Sequence, residues 1–116
     1  MDTVTMVTLV ADGASGDQEL EIHMTTLLQE LFEIFKAKQA DYGAGNIAMG
    51  GERGCLIRAN DKLQRLWRLV WEDGEAKNES VEDSWLDLAD YALIALLVKR
   101  GKWPQIQYIT RKEELV

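Results

Sequence analysis

Glu79, Asp83, Asp87 and Asp90 recur at intervals of four, four and three residues, a spacing that aligns them in one stripe if the segment is helical. Like charges one helical turn apart repel by about 0.2–0.5 kcal/mol in water, and by much more when water is excluded. The stripe is therefore either solvated or neutralised by a cation. It offers oxygen donors with no His or Cys among them, so the ion it suits is hard, Mg2+ or Mn2+ rather than zinc. Glu30 and Glu33, spaced to reach one ion from one helix face, form a second pair. On spacing alone the candidate metal ligands are Glu79, Asp83, Asp87 and Asp90 of the stripe with Glu30 and Glu33.

A cationic row accompanies the carboxylates. Arg58, Lys62 and Arg65 also share one helical face, and a compact row of this kind can clamp phosphate oxygens. Its plainer role is to salt-bridge to the acidic helix or to Asp61. Carboxylates that hold a metal, next to cations that hold phosphate, are the parts that phosphoryl chemistry requires. The stretch "DYGAGN" adds the ring of Tyr42, placed to stack on a base or to cover a pocket, and glycines that let backbone approach a ligand. It is not a P-loop, which would end in Gly-Lys-Ser or Gly-Lys-Thr. Cys55 is the sole cysteine and has no His near it in sequence, and His23 is the sole histidine. Neither makes a nucleophile–base pair.

The elements that must position these groups belong to one small chain. Its 116 residues are 47% hydrophobic and 28% charged with a single Pro, a composition that favours long helices around one core. The net charge of -7 repels phosphate backbones and anionic lipid, so neither nucleic acid nor membrane is expected as a partner. The N-terminus lacks the pattern of a signal peptide, and no apolar run reaches the roughly 18 residues of a membrane span. A lone cysteine fits a reducing cytoplasm.

Residues 1–18 read as an N-terminal arm in which "TVTMVTLV" has the alternation of a short strand. A single all-α domain is expected over 19–116. Its first helix spans about 19–40 and ends in a loop of about fourteen residues, "DYGAGNIAMGGERG", long enough to be functional or mobile. The second helix, about 56–71, places Leu56, Ala59, Leu63, Leu66, Trp67 and Val70 on one side. Arg58, Asp61, Lys62, Arg65 and Arg68 lie on the other. The third begins with Asn78 or Ser80 as cap, with Asp83 completing a capping box, and stops near Arg100 at Gly101 and Pro104. Beyond Asp90 it is apolar nearly all round, which predicts an internal helix whose acidic end faces a cleft. Trp67, Trp71, Trp85 and Trp103 all need cover, so a homodimer or homotetramer is expected.

The segments "KQADYGAGN", "LIRANDKLQRLWRL" and "NESVEDSWLDLADYALIAL", in this order, resemble the phage-associated nucleotide-modification family, described as dATP/dGTP diphosphohydrolase-like. That family is similar in turn to the MazG-like all-α nucleoside triphosphate pyrophosphatases. The resemblance runs from about Leu27 to Pro104. It implies a MazG-like helical bundle in which Glu30-x-x-Glu33 and Asp87-x-x-Asp90 hold Mg2+ over a triphosphate. The leading residue of the second pair is Asp where that superfamily has Glu, and Asp83 can replace either member. The resemblance also implies a substrate site drawn from Lys38, Asp41, Tyr42, Asn46, Arg58, Lys62 and Arg65.

The function so implied is hydrolysis of a nucleoside triphosphate, a purine such as dGTP or dATP, to the monophosphate and pyrophosphate. It would serve remodelling of a phage nucleotide pool in the host cytoplasm. Glu33 would orient the attacking water, and Lys62 and Arg65 would neutralise the departing pyrophosphate. Both cations are accordingly assigned to the triphosphate and not to the acidic helix. The alternatives are a nucleotide-binding accessory or sensor without turnover, and a helical module whose acidic stripe meets a basic partner.

Overall fold

The structure, a computed structural model, describes residues 10–11 and 14–105. Strands β1 (Val10–Ala11) and β2 (Ala14–Ser15) pair antiparallel, Val10 opposite Ser15. Three helices follow, α1 (Gly16–Tyr42), α2 (Gly45–Leu66) and α3 (Val81–Lys99), with a π-helical turn (Trp67–Trp71) continuing α2. The all-α class expected from the sequence is what forms. Most of "TVTMVTLV", and the C-terminal tail beyond Gln105, lie outside the described residues. No helix among the described residues is long and apolar enough to cross a membrane.

The chain divides inside α1 into two units, Met1–Lys36 and Ala37–Val116. In the first, side chains bond along the length of the helix, and Leu31 is buried. Thr25 and Thr26 hydroxyls donate to the carbonyls of Glu21 and Ile22, and Lys36 sits 5.0 Å over the ring of Phe32. Leu20, Ile22, Met24, Leu27, Leu28 and Phe32 are exposed.

The second unit holds the end of α1, α2, the π-turn and α3. Its termini are set locally. Gly43, at φ 72°, closes α1 by donating to the Gln39 carbonyl at 2.9 Å. Ser80 caps α3: its hydroxyl accepts from the Asp83 amide at 3.0 Å while the Asp83 carboxylate accepts from the Ser80 amide, which is the capping box expected from the sequence. Gly101, at φ 68°, ends α3 in a Schellman motif, with Gly101 N donating to Val98 O and Lys102 N to Leu97 O.

Three expectations are corrected. The glycine-rich segment is not a fourteen-residue loop, because helix resumes at Gly45 and breaks only at Gly51 (φ 61°, ψ -155°). A glycine can be helical where neighbouring turns hold it, and beyond Gly43, which closes α1, only Gly51 of this segment takes a backbone that other residues avoid. Next, α2 does not turn its apolar side inward. Leu56, Leu63, Trp67 and Val70 are exposed, while Cys55 and Leu66 are buried and Arg58, Ala59, Lys62 and Arg65 are half-buried. Cys55, Ala59, Lys62 and Leu66 follow helical spacing, and α2 and α3 are the helices that pack together in this unit. Finally, the second half of α3 is not internal within the chain: Ile94 is buried, but Leu93, Leu96 and Leu97 are exposed. Trp103 is buried, its indole N–H donating to the Ala44 carbonyl at 3.1 Å, whereas Trp67, Trp71 and Trp85 remain open.

Candidate functional site

The half-buried basic side of α2 meets the start of α3, and the meeting is built on charge. Lys62 lies 2.7 Å from Glu79 Oε1 and 2.9 Å from Asp87 Oδ2. Lys38, on the last turns of α1 within the same unit, donates to the other oxygen of Asp87, Oδ1, at 2.6 Å. Both oxygens of one carboxylate thus carry an ammonium group. Burial opposes the charge on all three groups, yet the mutual hydrogen bonds and charges outweigh it. Asp87 is held below its ordinary pKa, and Lys38 and Lys62 above theirs.

Arg65 is bound differently. Its guanidinium donates to the Ser84 hydroxyl at 2.6 Å, to the Ser80 carbonyl at 3.2 Å and to the Glu79 carbonyl, so its fork grips the backbone entering α3. Ser84 has no exposed surface. The sequence reading missed it, although it lies one turn after the cap Ser80 on a stretch otherwise read for its acids.

Asp90 is one helical turn beyond Asp87 and 7% exposed. Its Oδ2 is buried with no hydrogen-bond partner. Burial raises its pKa, the nearby ammonium of Lys38 opposes this, and the charge of Asp87 adds to it. A buried carboxyl oxygen with nothing to accept from is costly.

The residues singled out in the sequence therefore separate. Lys38, Lys62, Asp87 and Asp90 come together. Lys62 and Arg65, assigned from the sequence to a triphosphate and not to the acidic helix, are engaged here by the carboxylates and carbonyls at the start of α3. Asp83 is occupied by the capping box, and Glu79 precedes the helix instead of opening its stripe. Glu33 accepts from Gln29 at 3.0 Å and pairs with Lys36 at 3.1 Å in the first unit, where Glu30 is exposed. Asp41, Tyr42 and Asn46 are exposed at the α1–α2 turn, and Arg58 is half-buried. Cys55 is 1% exposed, and burial raises its thiol pKa, which suits a packed side chain and not a nucleophile.

Among the described residues no group of three or more His, Cys, Asp or Glu side chains is gathered to hold a metal ion. What the second unit offers is the pair Asp87 and Asp90, one of them with an orphaned oxygen. Mg2+ is commonly held by one or two carboxylates together with waters and substrate phosphates, and this pair could serve it only once Lys38 and Lys62 leave the two oxygens of Asp87 that they occupy.

An apolar groove of about 190 Å³ is lined by Leu63, Leu66, Trp67, Val70, Trp71 and Trp85. Trp67 and Trp71 meet edge to face at 5.6 Å. No protein-family model matches the chain, and no curated protein or solved structure matches it.

Proposed function

We propose that this protein is a metal-dependent nucleoside triphosphate pyrophosphohydrolase of MazG-like type. It would convert a (d)NTP, a purine such as dGTP or dATP, to the monophosphate and pyrophosphate in phage nucleotide-pool remodelling. The observation that carries the reading is the arrangement of Lys38, Lys62, Asp87 and Asp90: two ammonium groups and two carboxylates in one partly dry crossing, with a buried oxygen left unsatisfied. The resemblance of "KQADYGAGN", "LIRANDKLQRLWRL" and "NESVEDSWLDLADYALIAL" supports it independently.

In this reading Asp87 and Asp90 hold Mg2+, which when bound polarises the phosphoryl oxygens and lowers the pKa of a bound water. Lys38 and Lys62 bind non-bridging oxygens of the triphosphate and offset the charge that builds on the leaving pyrophosphate as water attacks the α-phosphorus and the bridging Pα–O bond breaks. Arg65 fixes the start of α3 so that Asp87 and Asp90 keep their places. The proposal rests on residues of Ala37–Val116 alone. Homo-oligomerisation belongs to the same proposal. The open side of α2 and the π-turn exposes Leu56, Leu63, Trp67, Val70 and Trp71, apolar side chains that a second copy of the chain would cover.

The test is to incubate the purified protein with each dNTP and NTP, with and without Mg2+, and to resolve the products. Monophosphate and pyrophosphate formed only with the metal support the enzyme. Metal-dependent binding without turnover would replace it by a nucleotide sensor, and the absence of both by a helical interaction module. Light scattering at micromolar protein gives the oligomeric state, and a monomeric mass would refute the oligomer.

A further inference from the structure

The two ammonium groups on Asp87 occupy the oxygens that a metal ion would need. Lys38 donates to Oδ1 at 2.6 Å, and Lys62 lies 2.9 Å from Oδ2. A carboxylate oxygen has a second lone pair, but a divalent cation placed on it would lie within a few ångströms of an ammonium group in a site only 13% exposed at Asp87. At such distances and reduced solvation the repulsion is large. Metal binding and lysine pairing at Asp87 therefore exclude one another.

The two lysines are not equivalent in how they can leave. Lys62 keeps Glu79 as a partner at 2.7 Å when it gives up Asp87, and it is 22% exposed. Lys38 has Asp87 as its ion-pair partner among the described residues, is 44% exposed, and stands on the last turns of α1. It has a path to solvent and, unlike Lys62, no second ion pair among the described residues, the charge of Asp90 acting on it only from beyond pairing distance.

We propose that Lys38 is an exchangeable counter-cation. It neutralises Asp87 while the site is empty, and it transfers its ammonium to a polyphosphate oxygen when a divalent ion takes its place on Asp87 and Asp90. This rests on the metal-and-triphosphate reading above and adds to it a rule of loading. The metal alone must displace Lys38 into water, and the polyphosphate alone must draw Lys38 from its carboxylate. Each ligand thus removes the obstacle to the other, and the two bind with positive coupling.

Replacing Lys38 moves the two affinities in opposite directions. In Lys38→Met, Mn2+ alone, followed by water-proton relaxation, should bind about fivefold or more tighter, the lower end of ordinary coupling between sites. Tripolyphosphate alone, followed by calorimetry, should bind more weakly by a similar factor. Lys38→Arg should keep tripolyphosphate binding and the competition with Mn2+. Lys99→Met, which removes the same charge from an exposed lysine paired with Glu52, controls for net charge and should change neither affinity comparably.

If the wild type binds Mn2+ and tripolyphosphate but Lys38→Met shifts them no more than Lys99→Met does, the exchange is overturned while the metal site stands. If Mn2+ binds neither the wild type nor Lys38→Met, the metal reading falls and the exchange falls with it. Because Lys38 is half-exposed at a helix end, Lys38→Met should fold. A melting curve on the same preparations verifies this, and Lys38→Arg tests the competition should it not.

Discussion

Lys62 stands 2.9 Å from Asp87, joining α2 to α3 at a point where an amphipathic reading of α2 would place water. This contact explains the orientation of α2. Burying an aliphatic stripe would have left Lys62 and Arg65 solvated and the carbonyls at the start of α3 without donors. Turning the basic side inward satisfies both, and it leaves Leu63, Trp67 and Val70 at the surface. The arrangement is a half-buried ion-pair network, in which loss of one partner strands the others.

Asp87→Asn is therefore expected to destabilise the protein. Relief of repulsion within the acidic stripe would act the other way, but the ammonium groups on both oxygens dominate. With Lys38 half-exposed and screened, the loss should be about 1–2 kcal/mol, below the range for fully buried pairs. The sign with pH follows from the lowered pKa. The contribution of Asp87 is present above the unfolded value near about 3.9 and disappears as pH falls through the lower folded value. Urea melts of wild type and Asp87→Asn should differ at pH 7 and converge in acid. Equal midpoints at pH 7 would show that the ion pairs contribute nothing.

Asp90→Asn should behave oppositely. The pKa of Asp90 is raised, so the stability it contributes is present below the unfolded value near about 3.9 and is lost as pH rises through the raised folded value. Wherever Asp90 is ionised the wild type carries the cost of a buried charge with an unpartnered oxygen, and the amide removes that charge. Asp90→Asn should melt higher at pH 7, lose the advantage toward pH 3, and bind Mn2+ less well. A lower melting temperature at pH 7 would mean that Asp90 is a structural acceptor.

Features set within one turn of chain were legible in the sequence. The Ser80/Asp83 box and the Gly101 stop depend on neighbours along the chain, and both formed where expected. The face of α2 was not legible, because an amphipathic pattern ranks side chains by their affinity for water and cannot show that two carboxylates, two carbonyls and a hydroxyl wait at the start of the adjoining helix. The glycine segment misled for a related reason: glycine permits a loop without requiring one, and of Gly45, Gly50, Gly51 and Gly54 only Gly51 has left-handed φ. The acidic residues were legible as a group, but their division into a cap (Asp83), a paired carboxylate (Asp87) and an orphan (Asp90) depends on what lies opposite each. Lys38 entered only through a family resemblance, since nothing in its own surroundings in sequence points across to Asp87.

Arg65→Ala removes the donors that hold the start of α3. Hydrogen bonds from a charged group contribute about 1.5–3 kcal/mol where they are not replaced by water, and the Ser84 hydroxyl, fully buried, would lose its donor. A stability loss of about 2 kcal/mol is expected, with faster amide exchange confined to the first turn of α3. Arg65→Lys should recover less than half, because an ammonium group cannot span the Glu79 carbonyl and the Ser84 hydroxyl as the guanidinium does. Unchanged stability with weakened tripolyphosphate binding would return Arg65 to the phosphate site.

Gly51 and Gly54 should respond to alanine with opposite signs. An added Cβ meets no atom within 4 Å at either position, so crowding does not distinguish them and backbone alone decides. Gly54 lies within the helical run after the break, and alanine there should stabilise by about 0.5–1 kcal/mol through the smaller entropy it loses on folding. Gly51 holds φ 61° and ψ -155°, a region close to glycine-only, and alanine there should cost about 1–3 kcal/mol. The chain could escape that cost by straightening α2 through residue 51, but this would swing the segment that carries buried Ile47 and the Ala44 carbonyl bound by Trp103. Either way Gly51→Ala loses stability, and the straightened form would also expose Trp103 and shift its fluorescence to the red. Urea midpoints for the two variants, read with Trp103 emission in a background lacking the other three tryptophans, settle the matter. If Gly51→Ala proved as stabilising as Gly54→Ala, with Trp103 unmoved, α2 would be a continuous helix with no obligatory break.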